Sequence, residues 1–286
     1  MTPVRRMKMW AFALGLAGAA VMTGGNAFAQ EGPLKVGLDF GVVPFGQINA
    51  SGVKEGFSID LAQEFAKRLG RPGAEVVDQE FSGMFAGLLA KRFEFIITPM
   101  YITKERAEQM LYAEPYFPAD SAFVIKSDAE MKSLEDLKGK VLAVNNGTQP
   151  DRWAQANAEK YGFTIQRYSN VAETIQAVAT GRAFATSNQS PTMVYAALQN
   201  KRVKVGYIDR TGDNFGLAFR KDDVALRNKV EEALECMKQD GSLKALYRKW
   251  FNEDPEPNSS LTKTYDGYGV PGMPGYDPAP HTLKCG

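Results

Sequence analysis

Histidine is almost missing from this chain. Among 286 residues there is one, His281, in a Pro- and Gly-rich stretch close to the C-terminus. A Ser-His-Asp or Cys-His centre would need that tail residue folded back into a core, and a zinc site built on several histidines is excluded. Carboxylate chemistry stays open. No sign of charge dominates either: 34 Lys and Arg stand against 33 Asp and Glu, for a formal net charge of +1. Nothing in that balance points to nucleic acid or an acidic membrane surface. Long apolar runs are lacking after the first, Met9 to Met22, and cysteine is limited to Cys236 and Cys285.

The single apolar run follows Arg5, Arg6 and Lys8, with no acid before it, and precedes the small-residue stretch "GGNAFA". This is the pattern of a cleaved secretory signal over residues 1–29, with Ala27 and Ala29 at the small positions before a cut at Gln30. A membrane anchor is the competing reading. Fourteen helical residues at 1.5 Å each reach only ~21 Å, short of the roughly 30 Å hydrocarbon core. The residues after Arg5 and Arg6 do not resemble a twin-arginine signal, and no cysteine lies near the cut for lipidation. The mature chain is therefore expected in the periplasm, slightly acidic, and long enough for one large or two medium domains. In an exported chain two cysteines favour a disulfide over two free thiols, which would tie Cys285 in the tail to Cys236.

From residue 34 strand-like and helix-like patterns alternate. "LKVGLDF" (34–40), "AEVVD" (74–78) and "FEFIIT" (93–98) read as strands. Leu61, Phe65 and Leu69 recur every four positions and predict a helix stopped by Gly70. Ser82 is placed to cap a second helix and Thr103 a third, from Lys104 to about Met110. A second set of strands follows at 121–126, 140–144, 164–168, 183–187 and 203–207. Its helices fall near 150–161, 171–180 and 191–199, with Asn170 and Ser190 as caps and Pro150 and Pro191 in first turns. "FGLAF" (215–219) then leads to helices at 224–238 and 242–251. This order predicts an α/β protein of two lobes, one split in sequence, with mostly parallel strand neighbours.

Six blocks in order, "GFSIDLAQEFAKRLG", "FSGMFAGLLAKRFEFII", "MYITKERAEQMLYAEPYF", "LEDLKGKVLAVNNGT", "GRAFATSNQSP" and "LKALYRKWF", resemble the periplasmic solute-binding proteins that feed polar amino acids to ABC transporters, bacterial extracellular solute-binding protein family 3. The resemblance spans about residues 34–251. It implies the two-lobed type II periplasmic binding protein fold, with a ligand cleft between lobes joined by two hinge strands. Carried onto this chain, lobe one is 33–118 plus 213–252 and lobe two is 119–212. The hinges then fall near Phe117–Ser121 and Thr211–Phe215. It further implies a monomer without cofactor, metal or enzymatic activity, whose partners are a small anionic or zwitterionic ligand and an inner-membrane permease.

In that family an arginine clamps the ligand's α-carboxylate, and Arg106 matches it; a planar guanidinium donates two parallel hydrogen bonds. An arginine of this kind on an arbitrary helix would be a solvated residue. Gly147, Thr148 and Gln149 precede a helix whose N-terminal N–H groups offer a second anion contact, or simply form a capped turn. Phe81 sits where an aromatic ring often meets the ligand, with a core phenylalanine as the alternative. Asp39 and Met100 complete the set expected to face the pocket.

Three positions depart from the family pattern. Tyr101 replaces a serine or threonine that donates to the carboxylate, Val42 replaces a stacking aromatic, and Gln189 replaces the aspartate that pairs with the ligand's ammonium. Leaving a buried charge unpartnered costs about 3–5 kcal/mol, and each ~1.4 kcal/mol is tenfold in affinity. Either another acid meets an ammonium, Asp39 first, or the ligand is a small carboxylate or other anion without one. Two further readings belong to other classes. One is a cyclohexadienyl dehydratase-like enzyme using a cleft acid. The other is an accessory protein that kept the fold and binds a partner protein instead of serving transport. The extension 253–286, rich in Gly, Pro and Tyr, excludes long helix or central strand. Its composition alone suggests disorder, whereas a Cys236–Cys285 bridge would strap it to lobe one.

Overall fold

The computed structural model describes residues 32–252 and 254–285; the expected signal segment, 1–29, lies outside the described residues. β1 (Leu34–Leu38) runs through a short antiparallel pair, β2 (Gln47–Ile48) and β3 (Lys54–Glu55), into α1 (Phe57–Arg68). There follow β4 (Ala74–Asp78), α2 (Phe81–Leu89), β5 (Phe95–Ile96), α3 (Lys104–Gln109) and β6 (Leu111–Tyr112). After β7 (Phe117–Pro118) comes a second set: β8 (Ser121–Lys126), β9 (Val141–Asn145), α4 (Gln149–Tyr161), β10 (Thr164–Tyr168), α5 (Val171–Ala179), β11 (Ala185–Gln189), α6 (Ser190–Gln199) and β12 (Val203–Asp209). The chain then returns through β13 (Asn214–Phe215) and β14 (Ala218–Phe219) to α7 (Val224–Gln239) and α8 (Ser242–Phe251).

Two five-stranded sheets result, ordered β4-β1-β5-β14-β6 and β10-β9-β11-β8-β12. Each is parallel on one side and antiparallel on the other, rather than mostly parallel as the alternation predicts. The physical reason is the crossing between lobes: β8 enters the second sheet, and β14 re-enters the first, from the opposite end to the βαβ strands. Helices form where apolar spacing and caps coincide. On α1 the side chains of Phe57, Leu61, Ala62, Phe65 and Ala66 are buried along one face. Asn170 caps α5 by accepting from Glu173 N–H, and Pro150 and Pro191 sit in first turns. Ser82 and Ser190 are not caps: each falls inside the first turn, after Glu80 and Gln189, because α2 and α6 begin one residue or more earlier than the serines suggest.

Between the sheets β7 pairs antiparallel with β13, setting Phe117 opposite Phe215. Their rings stack at 5.9 Å, and Phe45 meets both edge-on, at 5.1 and 6.0 Å. This aromatic cluster forms a stiff seat for the two connecting strands.

The extension packs along α7 through polar contacts more than apolar ones. Cys236 and Cys285 are joined as a disulfide. His281 Nε2 lies 3.0 Å from the Glu235 carboxylate, and its ring stacks on Tyr268 at 4.1 Å. The Gly269 N–H donates to both oxygens of Glu231, at 2.7 and 2.9 Å, with φ of +88°, a conformation that suits glycine. Lys238 Nζ donates to the carbonyls of Pro115 and Lys263 and pairs with Glu114 at 2.6 Å. Burial pushes the carboxyls of Glu114 and Glu231 up, to about 7 and about 8.

Candidate functional site

The segment "ITPMYITKER" leaves β5 and turns into α3. Thr103 caps that helix, its Oγ1 accepting from Arg106 N–H at 3.3 Å, which fixes Arg106 in the first turn. The side chain is 3% exposed. Its guanidinium lies beside the rings of Phe81 and Phe85, 5.3 and 5.6 Å from their centroids. Nη1 donates to the Tyr101 carbonyl at 3.0 Å, an oxygen that also accepts from the Tyr112 hydroxyl at 3.2 Å. Nε and Nη2 are buried and have no hydrogen-bond partner.

Those two nitrogens share one edge of the guanidinium, so their N–H bonds point the same way, the geometry that receives both oxygens of a carboxylate. The charged side chains that act on Arg106 are Glu105 and Arg152, and these pair with each other at 2.8 and 2.9 Å. Burial lowers the Arg106 pKa from the usual arginine value, while a guanidinium still stays protonated across the physiological range. The result is a buried cation whose charge the protein leaves unneutralised.

Facing it, Gly147 turns with a φ of +74° into α4. Thr148 caps the helix, its hydroxyl accepting from Asp151 N–H and donating to the Asn145 carbonyl at 2.6 Å. The N–H groups here are less free than the sequence suggests. Gly147 N–H donates to the Asp151 carboxylate at 3.0 Å, Asp151 N–H goes to Thr148, and Pro150 has none. Among the described residues this leaves the Gln149 N–H as the open donor at the helix start. The Asp151 carboxylate is in turn held by Arg167 Nε at 2.9 Å and Gln155 Nε2 at 3.1 Å.

Phe81, Met100, Tyr101 and Arg106 meet Thr148, Gln149 and Gln189 around one small cavity with about 20 Å³ of room, on the order of a single water. A larger solute needs these walls further apart. Phe81 lines the cavity and is also packed in a core cluster with Met84 and Leu88. Val42 lines the cavity where an aromatic would have stacked. Tyr101 reaches across to the other sheet: its hydroxyl is 3.3 Å from Ser121 Oγ and its ring packs edge-on against Phe215. Burial raises its pKa, so the hydroxyl keeps its proton.

Asp39 is the expected site residue that the structure does not bring to the cavity. Its Oδ1 accepts from Gly41 N–H at 2.8 Å and its Oδ2 from Phe81 N–H at 3.1 Å, tying the loop after β1 to the start of α2. Burial raises its pKa, against the effect of those two bonds. Two polar lining residues are not singled out by the sequence, Asn145 and Asn188. Asn188 Oδ1 accepts from Gln189 N–H at 2.8 Å, whereas Asn145 Oδ1 is buried without a partner. Their signal was available in "VNNGT" and "SNQSP", polar amides at the ends of apolar strands.

The model of the bacterial extracellular solute-binding proteins, family 3, matches residues 34–253. The L-cystine-binding protein of Escherichia coli (strain K12) is 30% identical over 236 residues, covering 80% of this chain and 86% of that one. An ancestral arginine-binding protein bound to arginine is 34% identical, with a TM-score of 0.74, covering 78% of this chain and 99% of that one. An ancestral amino-acid-binding protein described as a precursor of cyclohexadienyl dehydratase is 36% identical, with a TM-score of 0.71 and coverage of 77% and 95%.

Proposed function

The chain belongs to the bacterial extracellular solute-binding proteins, family 3, and from that premise we propose that it is the binding component of an ABC importer. It captures one small carboxylate-bearing solute, an amino acid or a related organic acid, in the periplasm. The observation that carries this reading is the buried Arg106 guanidinium with Nε and Nη2 unpartnered beside a cavity. A carboxylate there supplies both the missing charge and the two missing acceptors.

Closure does the work of recognition. The cavity takes its lining from residues of both sheets, so a solute makes its full set of contacts only when the lobes are shut, and its binding energy shifts the population to that form. The Glu105–Arg152 pair joins α3 to α4 across the same opening. A membrane permease then reads the closed surface and accepts the solute, with no chemistry performed on it.

The test is calorimetry on the mature chain against the twenty amino acids and a panel of small organic acids, with small-angle scattering to follow closure. Saturable binding of one class, accompanied by compaction, is expected. A panel with no binding and no compaction sinks the transport reading in favour of an accessory protein. The similarity to the dehydratase precursor favours, as a second reading, an enzyme acting on a cyclic carboxylate. It is the weaker one, since proton transfer needs an acid at the substrate and the described lining offers no Asp or Glu. Turnover of prephenate-like substrates would restore it.

A further inference from the structure

Building on the reading of Arg106 as the anion clamp, we propose that the solute is a small monocarboxylate with no charged amine, its other polar groups being neutral hydroxyl, oxo or amide functions.

The cavity wall holds the case. Among the described residues that line it, Arg106 is the one that carries a charge. The end of β9, the start of α4 and the end of β11 contribute carboxamides instead, Asn145, Gln149, Asn188 and Gln189, together with the Thr148 hydroxyl. An ammonium placed beside the carboxylate would sit near a buried guanidinium, with no anion in the cavity lining to balance it. No carboxylate lines the cavity; Asp120, paired with Arg210, and Asp213, bonded to Thr211, act on Tyr101 from outside it, and the nearer acids are committed. Asp39 is capped by two backbone N–H groups and lies outside the cavity. Asp151 faces Gly147 N–H, Arg167 and Gln155, and Glu105 is paired with Arg152. The same absence rejects a cationic side chain on the solute.

What the wall does offer is neutral. Asn145 is 2% exposed, and its Oδ1 is an acceptor without a donor. Gln149 N–H is a donor without an acceptor. A buried polar atom left unpaired is costly, which suits Asn145 Oδ1 to a donor that the solute brings, while the Gln149 N–H, on a half-buried residue, is open to an acceptor. A hydroxyl beside the carboxylate can donate to Asn145, and a hydroxyl or oxo oxygen can accept from Gln149.

The test compares molecules that share a skeleton and differ at that one group: L-lactate, pyruvate and L-alanine; 2-hydroxyisocaproate, its 2-oxo acid and L-leucine; phenyllactate and L-phenylalanine. Calorimetry is run on the mature chain, stripped by unfolding and refolding, and on Arg106→Met. The hydroxy or oxo acid is expected to bind at least tenfold tighter than the amino acid of its set, and to be lost in Arg106→Met. An amino acid that binds as tightly or more so, yet is lost in Arg106→Met, overturns the inference and leaves the clamp standing. Binding that survives Arg106→Met, or no binding by any probe, counts against both. A reciprocal variant, Asn145→Asp, keeps the shape and adds an anion to the wall. It should raise the preference for the amino acid over its hydroxy acid at least tenfold; an unchanged preference is evidence against the proposal. Independently of any guess at the skeleton, the small molecule released from protein as purified should resist amine-reactive labelling, and a labelled amine overturns the idea.

Discussion

Replacing Arg106 by methionine separates a binding residue from a structural one, because the two roles predict opposite patterns. Within the protein the guanidinium makes one hydrogen bond, from Nη1 to the Tyr101 carbonyl, and that oxygen keeps a second donor in the Tyr112 hydroxyl when the arginine is removed. Its Nε and Nη2 are unpartnered and its charge is desolvated. Deleting it therefore removes one bond, worth about 1 kcal/mol net, and also removes the burden of a buried charge. Arg106→Met should unfold within about 1 kcal/mol of the wild type, or at higher denaturant, when no solute is bound. With solute the balance reverses. Two charge-assisted bonds at roughly 1.5–3 kcal/mol each give about 3–6 kcal/mol, in line with the ~3–5 kcal/mol cost of breaking a buried pair. At ~1.4 kcal/mol per decade, affinity should fall by between about a hundredfold and roughly ten-thousandfold. Denaturant unfolding of the solute-free proteins and calorimetry with the tightest-binding carboxylate of the panel provide both halves. A variant that loses about 3 kcal/mol of stability when empty, but binds as the wild type does, refutes the reasoning.

The remaining predictions concern closure and the extension. Glu105 and Arg152 are partly exposed, so Arg152→Ala should loosen the closed form by only ~0.2–1 kcal/mol, seen as a few-fold weaker binding whose difference from wild type shrinks in high salt. An affinity loss of a hundredfold would mean that the pair does more than bridge the opening. Cys285→Ser opens a loop whose ends are 49 residues apart, for which chain entropy gives a loss of at most about 4 kcal/mol. Thermal unfolding with and without reductant should move for wild type and stay fixed for the variant, and equal shifts would count against the bridge. Glu231 is held up to about 8 by burial, above its ordinary range, and Glu114 to about 7. Each binds its proton more tightly folded than unfolded. Their stabilisation is thus complete below about pH 4.5 and is lost as pH rises through 7 to 8. Glu231→Gln should flatten the fall in stability between pH 5 and pH 8, by up to a few kcal/mol; an unchanged slope would assign it to other groups.

Much of the fold is visible in single residues whose chemistry is local. Thr103 and Asn170 cap the helices after them, and Pro150 and Pro191 occupy first turns, because those preferences depend on backbone groups only a few residues away. Ser82 and Ser190 are not caps for the complementary reason: Glu80 and Gln189 already take the cap position, the latter fixed by its pairing with Ser121 of a strand distant in sequence. The candidate site follows the same division. Arg106 stands out among six ordered sequence blocks, but that its Nε and Nη2 are free depends on Tyr101, just before its own helix, and on Phe81 and Phe85 from α2. Asp39 looked available because its two N–H partners, Gly41 and Phe81, include one that is distant in sequence. Asn145 and Asn188 went unnoticed because amides at strand ends acquire meaning only when β9 and β11 lie side by side at the cavity. The disulfide was legible from compartment and count alone, whereas the buried acids beneath the extension were not, since Glu114 and the acids of α7 meet only in the folded chain.

The central claim is that Arg106 holds a small carboxylate between the lobes. Native mass spectrometry of the wild-type protein and of Arg106→Met, each purified from the exported fraction without added solute, addresses it directly. One small acidic mass per chain is expected in the wild type and none in the variant. The same mass retained by both proteins would contradict it.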